Sequence, residues 1–279
     1  MLIGRTRTMA FQGRRTEATR LTMIDVNVNL SHWPARRLPF DDTSQLVRKL
    51  KESGITQAWA GSFDGLLHKD IAAVNARLAE ACSSANADLL IPFGSVNPTL
   101  PDWQDDVRRC VEEHKMPGIR LHPNYHGYAL EDTRFGELLD LADKDGLIVQ
   151  IAIKMEDERT QHRLLRVDPV DAAPLAGQLQ ARPQLRVVLL NSLRTLRGDT
   201  ISQLAAAGRV YFEISMQEGV GGITSLLAHA PLDRVLFGSY FPFFYLESAL
   251  LKLRESELAQ FQLDAITRGN ATQLLNSSD

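Results

Sequence analysis

The sequence predicts a single (β/α)8 barrel with a C-terminal helical segment. Eight short strand-like runs occur along the chain, and each is followed by a pattern of helical spacing. A doubly wound sheet more often has about five to seven strands, so eight runs favour the barrel. The length of 279 residues fits one large α/β barrel or two smaller domains. Because no internal linker or repeat interrupts the pattern, one domain is the simpler interpretation.

The predicted elements alternate in order. Strands are expected at 24–30, 56–62, 89–96, 118–122, 147–153, 185–190, 210–214 and 234–238. The main helices are expected at 42–53, 68–86, 103–114, 133–144, a segment ending near 181, and 247–276. The first helix has apolar residues at Leu46, Val47 and Leu50, and Gly54 follows it as a typical C-terminal glycine. The fifth strand is nearly all apolar, as expected of a strand covered on both faces.

The first strand carries the most informative pattern. On a β-strand Asp25, Asn27 and Asn29 share one face, whereas Ile24, Val26, Val28 and Leu30 share the other. Residues near the C-terminal end of a barrel strand point into the mouth, where barrel enzymes keep their chemistry. Two carboxamides are therefore expected at that position.

Composition and charge limit the partners. A net charge of −3 and a pI near 6.2 provide no broad cationic field, so neither nucleic acid nor an anionic membrane is expected as a partner. No run of 18 apolar residues appears. Cys82 and Cys110 lie in helical patterns and do not suggest a disulfide framework, which indicates a cytoplasmic protein.

The N-terminal part differs from the rest. Residues 1–22 contain five arginines and no apolar core, and we predict a disordered extension there, with the barrel at 23–279. Met23 directly precedes the first strand, so the extension could also reflect a wrongly assigned start. A twin-arginine address at Arg14 and Arg15 is a further alternative, although its hydrophobic stretch is missing.

Polar residues follow most strands at their C-terminal ends, which converge in a barrel. They are Asn27, Asn29, Ser62, Asn97, Arg120, His122, Lys154, Asn191, Glu213, Ser215, Ser239 and Tyr240.

Several motifs resemble the amidohydrolase superfamily, in particular its amidohydrolase 2 branch. They are Ile-Asp-Val-Asn-Val-Asn, Gly-Ile-Arg-Leu-His-Pro, Arg-Val-Val-Leu-Leu-Asn, Val-Leu-Phe-Gly-Ser-Tyr-Phe-Pro and Asn270-Ala271. Their order and spacing cover about residues 23–276. The resemblance implies a metal-dependent hydrolase with a His-x-His pair after strand one, histidines after strands five and six, and an aspartate after strand eight.

This chain departs from that pattern at every ligand position. The matching residues are Asn27, Asn29, the neighbourhood of Lys154, Asn191 and Tyr240. A carboxamide offers only a neutral carbonyl oxygen, and a phenol is neutral at pH 7, whereas Zn²⁺ prefers imidazole, thiolate or carboxylate. We therefore expect no metal cofactor, with a divalent metal such as zinc as the less favoured alternative.

Two functional interpretations follow. In the first, the chain is a hydrolase that acts without metal on a small, carboxylate-bearing amide, ester or lactone. Its catalytic candidates are His122, Lys154, Glu213 and Tyr240, and Asn27, Asn29, Arg120 and Asn191 would bind substrate. In the second, the barrel has lost catalysis and is a small-molecule binder or a partner subunit. Polar side chains that converge in the mouth would favour a ligand-binding protein. A mouth filled with bulky apolar side chains would favour a barrel that serves only as a structural scaffold.

Two loops add substrate-binding candidates. The charged segment 154–168 is long for a βα loop, and the resembling family has an Asp-x-Arg-x-x-His pattern that matches Asp157, Arg159 and His162. Tyr128 follows His122 in the next candidate wall of the pocket. The plainer alternative for the charged loop is a solvated surface.

Structural explanations compete with these roles. Asn27 and Asn29 could satisfy buried backbone groups, and Arg120 could pair with Glu213 or Asp25 inside the barrel. Relatives of this superfamily are often dimers, and the apolar run Phe241–Tyr245 could cover a partner or seat the last helix.

Overall fold

The computed structural model describes residues 22–83 and 88–277, and its centre is a barrel of eight parallel strands in sequence order. The strands are β1 Met23–Leu30, β2 Ile55–Ser62, β3 Leu90–Ser95, β4 Gly118–Leu121, β5 Ile148–Ala152, β6 Arg186–Leu190, β7 Arg209–Glu213 and β8 Val235–Leu236. Backbone hydrogen bonds from Val26 N to Phe237 O (3.0 Å) and Asn29 N to Phe241 O (2.9 Å) join the chain after β8 to β1. The predicted fold class is confirmed.

Helices surround the strands. They are α1 Thr43–Glu52, α2 Ile71–Cys82, α3 Trp103–Glu112, α4 Pro123–His126, α5 Thr133–Lys144, α6 Leu175–Gln180, α7 Asp199–Ala207, α8 Gly222–Leu226, α9 Leu246–Glu255, α10 Gln260–Asp264 and α11 Asn270–Asn276. Asp42, Asp70 and Asp132 begin three of them, and each carboxylate accepts a hydrogen bond from a backbone N–H of the first turn. Among the described residues, no helix combines the length and apolarity needed to cross a membrane.

Two apolar layers hold these elements together. Alternate strand residues such as Val187 and Leu189 pack against helix residues such as Leu139 in the outer layer. Their neighbours Val188 and Leu190 belong to a second cluster with Trp59 and Phe93, which fills the barrel interior. The period of two along each strand divides the side chains between these layers.

The first strand breaks this alternation. Ile24 and Val26 belong to the interior cluster, but Val28 and Leu30 belong to the outer one. The pairing of β1 with β2 shifts register between Asp25 and Val28, so an irregularity reverses the facing of the residues after Val26. The prediction of one uninterrupted alternation was therefore wrong.

Several boundaries also differ from the predictions. The region expected to be one helix at 247–276 contains α9, α10, a π-helical turn at Ala265–Gly269 and α11. The last strand has only two residues, and the helix predicted at 68–86 is described as Ile71–Cys82. The predicted N-terminal extension lies outside the described residues, apart from Thr22, whose hydroxyl accepts a hydrogen bond from Arg268.

Candidate functional site

The barrel brings the predicted polar residues to the C-terminal ends of the strands. The side chains that are buried there include Asn27, Asn29, Arg120, His122, Asn191, Glu213 and Tyr240. Asn27 Nδ2 donates to Asn191 Oδ1 at 2.8 Å and lies 3.3 Å from Glu213 Oε1, which joins the ends of β1, β6 and β7. These three residues therefore form one hydrogen-bonded network.

Glu213 is the centre of this network. Its Oε1 accepts from the backbone N–H of Asn191 at 2.6 Å and from the hydroxyl of Ser215 at 2.7 Å, and its Oε2 accepts from the backbone N–H of Ser215 at 2.6 Å. Both carboxylate oxygens are thus occupied by groups of the protein. Glu213 holds the turns after β6 and β7 in place and is poorly arranged to take a proton from a ligand.

Asp25 connects β1 to the segment after β8 by accepting hydrogen bonds on both carboxylate oxygens, as Glu213 does. Its Oδ1 accepts from the backbone N–H groups of Asn27 and Ser239, both at 3.0 Å, and its Oδ2 accepts from the Ser239 hydroxyl. Burial, together with the charge of Glu213, raises the pKa of Asp25 to about 7, although the hydrogen bonds from Ser239 and Asn27 oppose that rise.

Tyr240 is held in a fixed position by a hydrogen bond of its hydroxyl group. Its hydroxyl donates to the backbone oxygen of Met155 at 2.8 Å, and burial raises its pKa well above the ordinary value. Tyr240 and Asn191 both have positive φ angles, of 59° and 55°, a region that is unusual for a bulky residue such as tyrosine. The phenol is therefore a neutral, positioned group that packs the mouth.

The charged loop after β5 pairs mainly with itself. Lys154 Nζ contacts Glu158 at 3.1 Å, and Asp157 contacts both Arg159 and Arg194 at 2.9 Å. The ring of His162 accepts from the backbone N–H of Leu164 at 3.3 Å, on an exposed part of the loop. The four predicted residues of this loop, Lys154, Asp157, Arg159 and His162, are therefore joined to other side chains or to the loop backbone and not to the buried network.

Arg120 on β4 crosses the barrel interior. It donates to Gln150 Oε1 at 2.8 Å, to the backbone oxygens of Val28 at 2.9 Å and Trp59 at 3.1 Å, and to Asn29 Oδ1 at 2.7 Å. All four acceptors are neutral, so the ion pair with Glu213 or Asp25, which was the structural alternative for Arg120, is not formed. Burial lowers the pKa of Arg120 to about 10, which still leaves it charged at pH 7.

His122 lies two residues further along the chain, just past the end of β4. Its ring is fully buried, and neither ring nitrogen has a hydrogen-bond partner. Burial, His126 and Arg120 together lower the pKa of His122 well below the usual range, so the ring is neutral at pH 7. Of the three basic candidates, His122 is therefore neutral and Lys154 is paired with Glu158, whereas Arg120 is charged and makes its hydrogen bonds only to neutral acceptors.

Unpaired buried polar atoms are concentrated at β1 to β4 and in the segments that follow these strands. One of these residues, Tyr128, packs with Phe135 in the outer apolar layer and not in the mouth. Buried polar groups nearly always have a partner, so each such atom requires an explanation. Apart from His122, they include Asn27 Oδ1, Asn29 Nδ2, Trp33 Nε1, Trp59 Nε1, Ser95 Oγ, His126 Nδ1 and Tyr128 Oη. Outside this side of the barrel, Arg234 Nη1 is also unpaired. The concentration indicates a place where water or a ligand completes the hydrogen bonds.

Aromatic rings lie over this region. Trp33 packs edge-on against Phe63 at 5.2 Å and Phe243 at 4.9 Å between ring centroids, and Phe243 stacks on Tyr240 at 4.8 Å. Arg36 lies 5.1 Å from the Phe243 ring centre and pairs with Glu156. The mouth therefore contains both features that were expected to separate the two interpretations: buried polar groups, which favour a ligand site, and closely packed aromatic rings, which favour a scaffold.

The donor set of the mouth does not fit a divalent metal. Among the described residues, no three histidine, cysteine, aspartate or glutamate side chains are grouped as ligands. The nearest carboxylates, Asp25 and Glu213, already accept hydrogen bonds on both oxygens. Asn27 Oδ1 and a His122 nitrogen are free, but these two neutral donors fall short of the three protein ligands of a catalytic zinc site.

Three important residues were given no role in the predicted site, although Ser215 and Ser239 were expected at the strand ends. Gln150 donates to the backbone oxygen of Val26 at 2.9 Å and holds Arg120, and Ser215 and Ser239 complete the carboxylate networks. A glutamine within the apolar fifth strand was a usable signal, since a polar side chain buried in such a strand needs partners. The roles of the two serines depended on contacts between distant strands.

Eight parallel strands that alternate with helices define this chain as a (β/α)8 barrel. The profile of the Amidohydrolase family matches residues 24–276, and the chain belongs to that family. No curated protein sequence matches the chain.

Solved structures with the same fold include several decarboxylases. A 5-carboxyvanillate decarboxylase from Sphingomonas paucimobilis has a TM-score of 0.71 and 11% identity, covering 91% of this chain and 99% of its own. A dihydroxybenzoic acid decarboxylase from Polaromonas, with bound manganese and 2-nitroresorcinol, has a TM-score of 0.67 and 14% identity, covering 91% and 96%. A 2,6-dihydroxybenzoate decarboxylase from Rhizobium has a TM-score of 0.65 and 15% identity, covering 90% and 98%. At these identities the similarity establishes the fold alone.

Proposed function

We propose that this chain binds a small, planar organic molecule in the mouth of the barrel without using a divalent metal. The observation that carries the proposal is the concentration of unpaired, buried polar atoms at β1 to β4 and in the segments that follow them, a region that also contains the packed rings of Trp33 and Phe63. A pocket with apolar walls and a few convergent polar groups is typical of small-molecule sites. Each unpaired buried group costs about 1–3 kcal/mol, and a ligand that supplies the missing hydrogen bonds recovers that cost.

The chemistry of the donors supports independence from metal. Four of the five positions that match the family's metal-ligand pattern hold carboxamides or a phenol, namely Asn27, Asn29, Asn191 and Tyr240, and the fifth falls near Lys154. The structure uses Asn191 and Tyr240 for internal hydrogen bonds to the network and to Met155. The bound manganese is a property of the Polaromonas decarboxylase, whereas this mouth holds carboxamides and a phenol at positions that match the family's metal-ligand pattern.

Hydrolysis of a small amide, ester or lactone is the second candidate function. The observation in its favour is His122, whose ring is buried with both nitrogens free to exchange a proton with a substrate or a water. Its low pKa makes it a weak base, and the other predicted catalytic groups, Lys154, Glu213 and Tyr240, are already paired. Binding therefore ranks first, with His122 as the residue on which hydrolysis would depend.

Metal content is the first test. The protein should be purified without chelator or nickel affinity resin and analysed by inductively coupled plasma mass spectrometry, followed by titration with Zn²⁺ and Mn²⁺. We expect far less than one metal per chain and no change in melting temperature. Near-stoichiometric metal, or a clear stabilisation by either ion, would contradict metal-independent binding.

A ligand screen tests the site itself. Small aromatic and heteroaromatic acids, amides, esters and lactones should be screened by thermal shift on the wild type, His122→Leu and His68→Leu, the last an exposed histidine that serves as the control. We expect a compound to stabilise the wild type and the control but not His122→Leu. A product signal in NMR spectra of that compound, absent with His122→Leu, would establish hydrolysis. A stabilisation retained in His122→Leu would place the ligand elsewhere.

Assembly and location extend the proposal. We propose a cytoplasmic protein, because Cys82 and Cys110 are both buried free thiols and no disulfide links them.

A homodimer is also proposed. Its interface would include the exposed Tyr245, since Phe243 and Phe244 of the same run pack on Tyr240. Sedimentation of the purified chain decides between monomer and dimer.

A further inference from the structure

We infer that the N-terminal end of the barrel, opposite the mouth, has a second binding site, which takes a phosphate group between Arg186 and Arg209. Arg186 is the first residue of β6 and Arg209 is the first residue of β7, and the two are paired in the register of these neighbouring strands. The strands of a barrel begin at the face opposite the mouth, so this site is separate from the proposed small-molecule site and does not depend on it.

Both arginines line one cavity of about 210 Å³. Its other walls come from the turn before β5, the turn before β6 and the end of α11, and they are formed by Asp143, Gly146, Leu147, Gln184, Leu185 and Ser277. Gly146 and Gln184 are exposed, so the cavity is in contact with solvent. A small ion can therefore reach the two arginines.

The two guanidinium groups bring like charges close together. Arg186 is buried and Arg209 is half-buried. Burial lowers the pKa of Arg186, and the positive charge of Arg209 lowers it further. Among the described residues neither arginine forms an ion pair, although the carboxylate of Asp143 lines the same cavity. The lining thus has two positive charges and one negative charge, and an anion between the guanidinium groups would reduce their repulsion.

Arginines at this end of a barrel also have a structural explanation, because the helices end there and their last carbonyl oxygens favour cations. Arg186 fits that explanation, since it donates to Leu274 O in α11 at 2.8 Å and to Gly146 O. Arg209 does not, because within the described part of the chain its guanidinium makes one hydrogen bond, a long one of 3.4 Å to Gln184 Oε1. Arg209 therefore retains N–H groups for a ligand.

The donors around the cavity suit a phosphate group. A guanidinium has five N–H groups in a planar fork that matches phosphate oxygens, and two such groups line the cavity. Gln184 accepts from Arg209 through its Oε1, so its amide N–H₂ is a further donor at the rim. Phosphate accepts hydrogen bonds in several directions, whereas a carboxylate has only two oxygens in one plane. The same chemistry is present in the free ion and in a phosphate ester.

The first experiment titrates the full chain with inorganic phosphate by isothermal titration calorimetry at neutral pH. Sodium chloride keeps the ionic strength constant, since salt screens exposed charges. We expect a dissociation constant of about 1 mM or lower for phosphate, and at least about tenfold weaker binding of acetate. No heat with phosphate up to about 20 mM, or an equal affinity for acetate, would overturn the inference.

Methyl phosphate distinguishes the two sources of the phosphate group. Binding of both probes assigns the site to the phosphate group of a larger molecule as well as to the free ion. Binding of inorganic phosphate alone assigns it to the free ion.

Arg209→Gln is the variant that tests the site directly, because it removes the guanidinium with free N–H groups and leaves the hydrogen bonds of Arg186 in place. We expect at least about tenfold weaker binding of phosphate. Arg163→Gln, at an exposed position in the loop after β5, makes the same change of charge and should bind phosphate as the wild type does. Unchanged affinity in Arg209→Gln, or an equal loss in Arg163→Gln, would contradict the inference.

The melting temperature separates a binding role of Arg209 from a structural one. Without phosphate, Arg209→Gln removes the repulsion with Arg186, so we expect the variant to melt at the same temperature as the wild type or higher. In about 20 mM phosphate the order should reverse, because the ligand stabilises the wild type more than the variant. If the variant melts lower by the same amount in both solutions, Arg209 has a structural role and the inference is wrong.

Asp279 needs a separate control, because it lies outside the described residues and follows shortly after Ser277, which lines the cavity. We expect Asp279→Asn and the wild type to bind phosphate with the same affinity. Binding by the variant alone would mean that a carboxylate of the chain excludes phosphate from the site, and it would refute the inference.

Discussion

The two sides of the barrel mouth treat their buried polar groups differently. On the side of β5 to β8, the oxygens of Glu213 are occupied by backbone N–H groups and a serine hydroxyl, and Asp25 is held in the same way where β8 meets β1. On the side of β1 to β4, Asn29, His122 and Trp33 keep polar atoms without partners. A saturated group maintains the structure, whereas an unsaturated one is available to a ligand. We therefore separate the residues that hold the mouth from those that we propose to bind a ligand in it.

The largest expected effect comes from breaking the saturated side. Glu213→Gln places an amide N–H₂ against donors that now bind a carboxylate, and we expect it to lower the free energy of unfolding by about 3–5 kcal/mol. Urea denaturation measures the loss, and Glu137→Gln on the exposed face of α5 should change stability by no more than about 0.5 kcal/mol. If the Glu213→Gln variant is stable but no longer binds the ligand, Glu213 is a ligand-binding residue and not a structural one.

The pH dependence of stability tests the same side through Asp25. Its pKa rises from 3.8 to about 7 on folding, so its contribution to stability is present at low pH and is lost as the pH rises to about 7. That difference in pKa limits the decrease in the free energy of unfolding to about 4 kcal/mol, and we expect little further change above pH 7. Asp25→Asn should remove this part of the pH dependence, measured as the difference in unfolding free energy between pH 5 and pH 8. Parallel pH profiles for the two proteins would show that the hydrogen bonds from Ser239 cancel the effect of burial.

Gly61→Ala tests how closely Arg120 is held. A Cβ at Gly61 would lie 2.6 Å from Arg120 Nη1, so the guanidinium must shift, and we expect a loss of about 1–3 kcal/mol in stability. Gly177→Ala in α6 meets no atom within 4 Å and should be neutral or stabilise by up to about 1 kcal/mol. If both variants denature at the same urea concentration, Arg120 has room to move.

The smallest expected effect comes from removing an unpaired group. Tyr128→Phe deletes a buried hydroxyl without a partner, and we expect the free energy of unfolding to stay constant or rise by up to about 1 kcal/mol. Ser215→Ala on the other side deletes a hydroxyl bonded to Glu213 and should cost about 1–2 kcal/mol. Equal losses of unfolding free energy in the two variants would contradict the distinction between paired and unpaired buried groups.

The local pattern of the chain was sufficient for the fold and for which polar groups stand at the strand ends. Eight strand-like runs followed by helical spacing predicted the barrel, because the period of side-chain burial is a property of neighbouring residues. The placement of Asn27, Asn29, Arg120 and His122 near the mouth followed from the same periodicity and from the ends of the runs. Even there, the register shift in β1 reversed the expected facing of Val28 and Leu30.

Only the tertiary structure decided what each polar group does. Glu213 and His122 are both ionisable residues at strand ends, yet the first is surrounded by donors from three strands and the second has no partner. Hydrogen-bond saturation depends on atoms that are distant in sequence, such as Asn27 and Asn191, which lie 164 residues apart and bond at 2.8 Å. The sequence by itself determined the barrel and the polar composition of its mouth. The three-dimensional packing determined which of those groups have hydrogen-bond partners within the protein and which have none, because only folding brings donor and acceptor together.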